Sequence, residues 1–176
     1  MMKHIVFLTS LMIFGISSAQ IINENPFEQI SLQSLNYVES IDFHDEVNKT
    51  VRLINQFRVE NGLQEVELDA SMSDFGQEFI SRLLIENQLY HSDLNNGSYS
   101  LENLYTEFGF GGFLRLDDEW LSMRSTNTFN AWKKSPGHRA NMLNPDITKI
   151  GVSFQIKTKV TNGNYSYVLD GILVGQ

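Results

Sequence analysis

The sequence predicts an α+β fold, and three observations carry that prediction. Apolar residues recur at helical spacing in the first half of the chain, at Val47, Val51, Ile54 and Phe57 and again from Met72 to Leu84. Near the C-terminus Ile150, Val152, Phe154 and Ile156 instead alternate with Gly151, Ser153, Gln155 and Lys157, which is the period of a strand. Asn162-Gly163 then gives the strongest short hairpin signal, with Tyr165, Tyr167 and Leu169 on the return. Helices first and an antiparallel hairpin last make a layered domain.

A length of 176 residues with 41% apolar composition supports one domain with a sizeable core. Residues 1–19 read as a secretory signal peptide: Lys3, an apolar run from Ile5 to Ile16, then Ser17-Ser18-Ala19 as the small-residue cleavage site. About a dozen apolar residues are too few to span a bilayer comfortably, which weighs against an N-terminal membrane anchor. No later stretch is apolar enough to span, so the mature chain, starting near Gln20, is expected to be secreted or periplasmic. Residues 20–43 show no sustained period and read as an N-terminal extension, ordered only if it docks on the domain. Residues 44–176 make the domain.

Removing Lys3 leaves 12 Lys and Arg (13 less that one) against 21 Asp and Glu, an acidic balance that argues against nucleic acid as a partner. Cysteine is absent, which excludes disulfides, a lipoprotein anchor and thiol chemistry.

Taken in order, the first helix starts near Asp45 and stops at Asn61-Gly62. Asp69 is the N-cap of a second, carrying Met72, Phe75, Phe79, Ile80, Leu83 and Leu84 to about Asn87. Tyr90-His91-Ser92-Asp93, a turn-rich run through Asn95-Asn96-Gly97, and Leu101-Glu102-Asn103 follow. Tyr105 to Trp120 is less regular. Its Phe108 to Phe113 segment lacks the Lys-Ser/Thr of a phosphate loop and reads as a flexible, partly apolar loop. Ser125 or Thr126 is expected to cap a third helix running through Phe129 and Trp132 to about Lys134. Ser135 caps the fourth, with Pro136 as its first residue and His138 as its third, and Asn144-Pro145 ends it.

The block Trp132-Lys133-Lys134-Ser135-Pro136-Gly137-His138-Arg139-Ala140-Asn141-Met142-Leu143-Asn144-Pro145, running on to Ile150-Gly151-Val152, resembles the bacterial branch of the CAP superfamily, the SCP domains of cysteine-rich secretory, antigen 5 and pathogenesis-related proteins. Asn55 through Arg58, Gly62-Leu63 and Asp69 match the family's opening, so the likeness runs from about Val47 to the C-terminus. It implies a three-layer α-β-α sandwich. The absence of cysteine departs from animal and plant members.

The resemblance also implies a site. His91 matches the first cavity histidine of the family, Glu102 the glutamate of its Gly-Glu-Asn motif, and His138 the second histidine. The family's second glutamate falls on Ser135, which reduces a tetrad to a triad. Two imidazoles and one carboxylate are a competent set for Zn²⁺ or another divalent cation, with a fourth position open to water. Hydrolysis would also need a positioned general base, which the missing glutamate would have supplied. Each residue also has a plain structural reading: His91 as a bonded helix end, Glu102 as a turn-former, His138 as a satisfied first-turn histidine. Asn103 and Asn141 read as amides holding a loop behind the site, and Trp132 as core with a locally bonded indole. The expected function is a non-enzymatic binding module with an open cleft for a small ligand, a lipid among the candidates, or a divalent metal. The alternatives are a metal-dependent extracellular hydrolase or protease and a cell-surface interaction protein with a vestigial cleft. No protein partner is indicated.

Overall fold

The computed structural model describes residues 35–38, 41–93, 99–111, 117–161 and 164–176. The residues read as a signal peptide, the first part of the expected extension, the Asn95-Asn96-Gly97 run and the Asn162-Gly163 turn lie outside the described residues.

Helix α1, His44–Glu60, turns Val51, Ile54 and Phe57 inward and ends at Asn61, with Gly62 at φ +77°. That φ suits a residue without Cβ. The two-residue strand β2, Glu67–Leu68, leads into α2, Ala70–Glu86. The Asp69 carboxylate accepts the Met72 N–H, and Asn87 closes the helix in a left-handed conformation. Both helices form where their apolar spacing places them. The inward face of α2 is narrower than expected: Met72, Phe79, Ile80, Leu83 and Leu84 are buried, whereas Phe75 is only partly buried, against Tyr99.

Two expectations are corrected. Of the stretch from Tyr105 to Trp120, expected to be less regular, the part up to Gly111 belongs to an 11-residue strand, β3, Leu101–Gly111, and the part from Asp118 to the third helix, while 112–116 lie outside the described residues. The third helix, α3, covers Asp118–Lys134 and is capped by Asp117, whose side chain accepts from Trp120 N–H; it starts well before Ser125. Asp118 and Glu119 sit in its first turn, where the helix dipole favours negative charge, while Ser125 is buried inside the helix. The seven-residue α4, Pro136–Met142, follows Ser135.

Strands β4, Lys149–Thr161, and β5, Asn164–Gly175, pair antiparallel from Ile150↔Gly175 to Thr161↔Asn164. Among the described residues the sheet runs β1-β4-β5-β3, where β1 is Leu35–Val38, and β2 adds to β4 in parallel. β1 comes from within the N-terminal extension, so that part of it joins the sheet, and the compact unit is Ser34–Gln176.

Both faces of the sheet are covered. On one, Ile150, Val152, Phe154, Ile156, Leu169 and Leu173 pack with Val51, Ile54, Phe57, Phe129, Trp132 and Met142 of α1, α3 and α4. On the other, Leu104, Ile172 and Val174 pack with α2. This is the three-layer α-β-α sandwich. Gly151 shows how closely the second layer sits, because a Cβ there would collide with the backbone of Met72 and Ser73. The small residues alternating with the apolar ones on β4 therefore face a second helix, not water.

Candidate functional site

Among the described residues β3 is an edge strand, bonded to β5 on one side only. Side chains close its other edge: the Trp132 indole N–H donates to Leu104 O at 3.1 Å, and Asn141 Nδ2 donates to Glu102 O at 3.1 Å. Side chains thereby satisfy part of an edge that no described strand pairs. Trp132 is 1% exposed, and its indole bond crosses to β3; the expectation of a local partner is corrected. Asn103, fully buried, donates to His138 O at 3.0 Å and accepts from Asn141 Nδ2 at 2.8 Å. These amides fasten α4 to β3 and so hold His138 beside the start of the strand.

Glu102 lies on the α2 face of β3, 4% exposed, and not in a turn. Its Oε1 is 2.7 Å from His91 Nδ1, and both carboxylate oxygens take the Ser92 N–H, at 3.2 and 3.3 Å. The Ser92 hydroxyl donates to Oε2. A carboxylate can only accept, so Nδ1 of His91 carries a proton, and in the neutral ring Nε2 keeps its lone pair. The His91 side chain is 64% exposed, which leaves that lone pair open to solvent.

His138, the third residue of α4, is half-buried. Burial, and then the charge His91 carries when protonated, push its imidazole below the ordinary histidine pKa. The two rings are thus near enough to influence one another. Ser135 precedes α4 as its N-cap residue, but its hydroxyl makes no capping bond. Of the expected residues, His91, Glu102, Asn103 and His138 are related by these contacts, and nothing ties the Ser135 side chain to them. His91 and Glu102 touch; His138 stands beside them on α4; Asn103 is the fastening behind.

The donor set fits a metal ion less simply than expected. Glu102 is already engaged by His91 and Ser92, and among the described residues no group of three or more His, Asp and Glu side chains is placed to hold a metal ion. Glu102 instead orients the His91 imidazole from behind. Ser92 was missed as a site residue; its position next to His91 in Tyr90-His91-Ser92-Asp93 was the available signal. Arg58 was also missed as a fastening. At 1% exposure it donates to the carbonyls of Gln64, Met142 and Asn144, tying α1 to the end of α4. Lys133, in the last turn of α3, packs on a ring, with its Nζ 4.5 Å from the centre of Phe57.

The cysteine-rich secretory protein (CAP) family matches the chain over residues 51–170. In structure the chain is similar to an outer surface protein from Borrelia burgdorferi, with 18% identity, a TM-score of 0.53, and coverage of 81% of this chain and 98% of that one. It is also similar to an extracellular protein with an SCP domain from Bacillus anthracis, at 18% identity and a TM-score of 0.46, covering 71% of this chain and 40% of that one. A cysteine-rich secretory protein from Staphylococcus aureus matches at 15% identity and a TM-score of 0.41, covering 75% and 39%. The chain thus spans about two fifths of the length of the last two proteins. No curated protein sequence matches it.

Proposed function

The chain belongs to the cysteine-rich secretory protein family, and on that premise we propose that it is a non-enzymatic binding module in which His91 and His138 present two imidazoles to a small ligand. The observation that carries this reading is the Glu102 carboxylate under His91, which fixes one tautomer and aims Nε2 outward. A ligand with a hydrogen-bond donor suits Nε2, and His138 supplies the second polar contact. Glu102 has its acceptor positions occupied by His91 and Ser92 and is not placed as a free general base, so binding is preferred to hydrolysis.

A divalent cation such as Zn²⁺ is the second reading, favoured by the same contact, because a carboxylate behind an imidazole is the usual support of a metal-bound histidine. In this version Glu102 is the support and not the third ligand, and the remaining positions fall to water or to the bound molecule. The module acts outside the cytoplasm; Lys3, the apolar run and Ser17-Ser18-Ala19 support that placement, as does the likeness to a protein described as an outer surface protein. Among the described residues no helix is long and apolar enough to cross a membrane.

Titration calorimetry with Zn²⁺ separates the readings. Saturable binding that His91→Ala and His138→Ala each remove, and that weakens as pH falls through the histidine range, establishes the metal. Ser135→Glu, which removes no capping bond, then tightens it by adding a carboxylate near His138. Absence of Zn²⁺ binding leaves the ligand reading. That reading fails if His91→Ala and His138→Ala leave unchanged the binding of whatever small molecule co-purifies with the secreted protein.

A further inference from the structure

The sheet face that carries Glu102 holds a second feature at its far end. Thr106 stands opposite Asp170 in the register of β3 and β5, and Phe108 opposite Val168. These four continue the row of Leu104, Ile172 and Val174, which α2 covers. The helix stops short of them, because Asn87 at φ 52° turns the chain away after Glu86. Between its last turn and the strands lies a cavity of about 220 Å³, walled by Leu83, Leu84, Leu89, Phe108 and Val168.

At its inner end is Asp170, 3% exposed, whose carboxylate accepts the Thr106 hydroxyl. Lys157 is the other titratable group lining the cavity, and it is turned to the helix terminus, donating to Leu84 O and Asn87 Oδ1 at 2.9 Å each. It adds to the cap that Asn87 makes, and it is not paired with Asp170. Burial raises the Asp170 carboxyl to about 6, so above that pH a negative charge stands among apolar walls with one hydroxyl donor beside it. Phe108, 72% exposed, forms the rim. A carboxyl at the base, apolar walls and an aromatic rim are complementary to a molecule with a cationic head and an apolar body.

We propose that this cavity is a binding site for a small amine with an apolar body, whose ammonium meets Asp170 and whose body lies against Leu84, Val168 and Phe108. The volume sets the size. It exceeds the roughly 150 Å³ that holds a benzene ring and falls below the roughly 300 Å³ at which drug-sized pockets begin, so one ring with a short chain fits. The site shares no residue with His91, Glu102 and His138 and stands without the reading given to them.

The test uses the full chain and three probes, 2-phenylethylamine, 2-phenylethanol and 3-phenylpropionate, followed by NMR titration. Near pH 7.5 the amine binds saturably, and the alcohol and the carboxylate bind at least about tenfold more weakly. Asp170→Asn, which keeps the Thr106 bond, weakens the amine by the same factor with a melting midpoint at or above that of the wild type. Phe108→Ala, at an exposed position that the fold does not need, also weakens it. Lowering the pH to about 5 neutralises Asp170 and reduces amine binding while Lys157 stays charged. The proposal is overturned if the amine does not saturate, if the alcohol binds as well as the amine, or if Asp170→Asn binds the amine unchanged.

Discussion

Glu102 and Asp170 stand on the same face of the sheet and are buried to the same degree, at 4% and 3% exposure, yet their surroundings differ in kind. Glu102 receives an imidazole, a backbone N–H and a hydroxyl, all from His91 and Ser92 just beyond α2. Asp170 receives one hydroxyl, from Thr106, because Lys157, which lines the same cavity, is committed to the end of α2. Burial alone therefore does not define a carboxyl's role. The donors that reach it decide whether it is a fixed support, as at Glu102, or a group raised to a pKa of about 6 beside a cavity, as at Asp170.

The largest test of this contrast lies between the two carboxyls. Trp132 closes the free edge of β3 at Leu104, so Trp132→Ala should cost about 3–5 kcal/mol, read by denaturant unfolding, and loosen the Glu102 end of the strand first. A cost below about 1 kcal/mol would show that the edge is not held there.

Asp170→Asn should act in the opposite direction. Between the unfolded carboxyl pKa near 4 and the native value of about 6, the native state holds a proton that the unfolded chain has lost, so wild-type stability falls as pH rises through that window. The variant escapes that loss and should be more stable by roughly 1–3 kcal/mol at pH 8, with the gain vanishing near pH 4. Thermal melts across pH check this. Glu102→Gln should instead destabilise by about 1–3 kcal/mol, since it replaces a carboxylate that only accepts with an amide that cannot satisfy all three donors. If both variants shift stability in the same direction, the contrast between the two sites is lost.

The smaller effects concern His138 and Phe108. With the His138 pKa lowered, the unfolded chain takes up its proton first as pH drops below 6.5, so stability declines just below that value and His138→Gln should flatten the decline. Phe108→Ala should change stability by no more than about 0.5 kcal/mol, because the ring is exposed.

What could be read from the sequence follows the same physics. α1 and α2 were legible because a helix that buries one stripe shows its period, and Asp69 and Asn61-Gly62 marked their ends. β4 was legible for a partly different reason. Its alternation looked half-buried, but Gly151 and Ser153 are small because α2 lies against them. β3 was not legible, since its two rows mix roles: Glu102 and Asp170's partner Thr106 share a row with Leu104 and the exposed Phe108 and Phe110. No single period survives such mixing. The site residues His91, Glu102 and His138 were found through likeness to a family. Glu102 as a support for His91, with Ser92 beside it, emerged only when the strand and the segment after α2 were brought together.

Everything assigned to the histidine pair depends on Glu102 holding His91 in the tautomer with the proton on Nδ1. Long-range ¹H–¹⁵N correlation spectra of the imidazoles read that tautomer, in the wild type and in Glu102→Ala near pH 8. In the wild type His91 should be protonated on Nδ1 with a free Nε2, and the variant should revert to the mixed tautomers of an unrestrained imidazole. A wild-type His91 protonated on Nε2, or a spectrum unchanged by Glu102→Ala, would contradict the assignment.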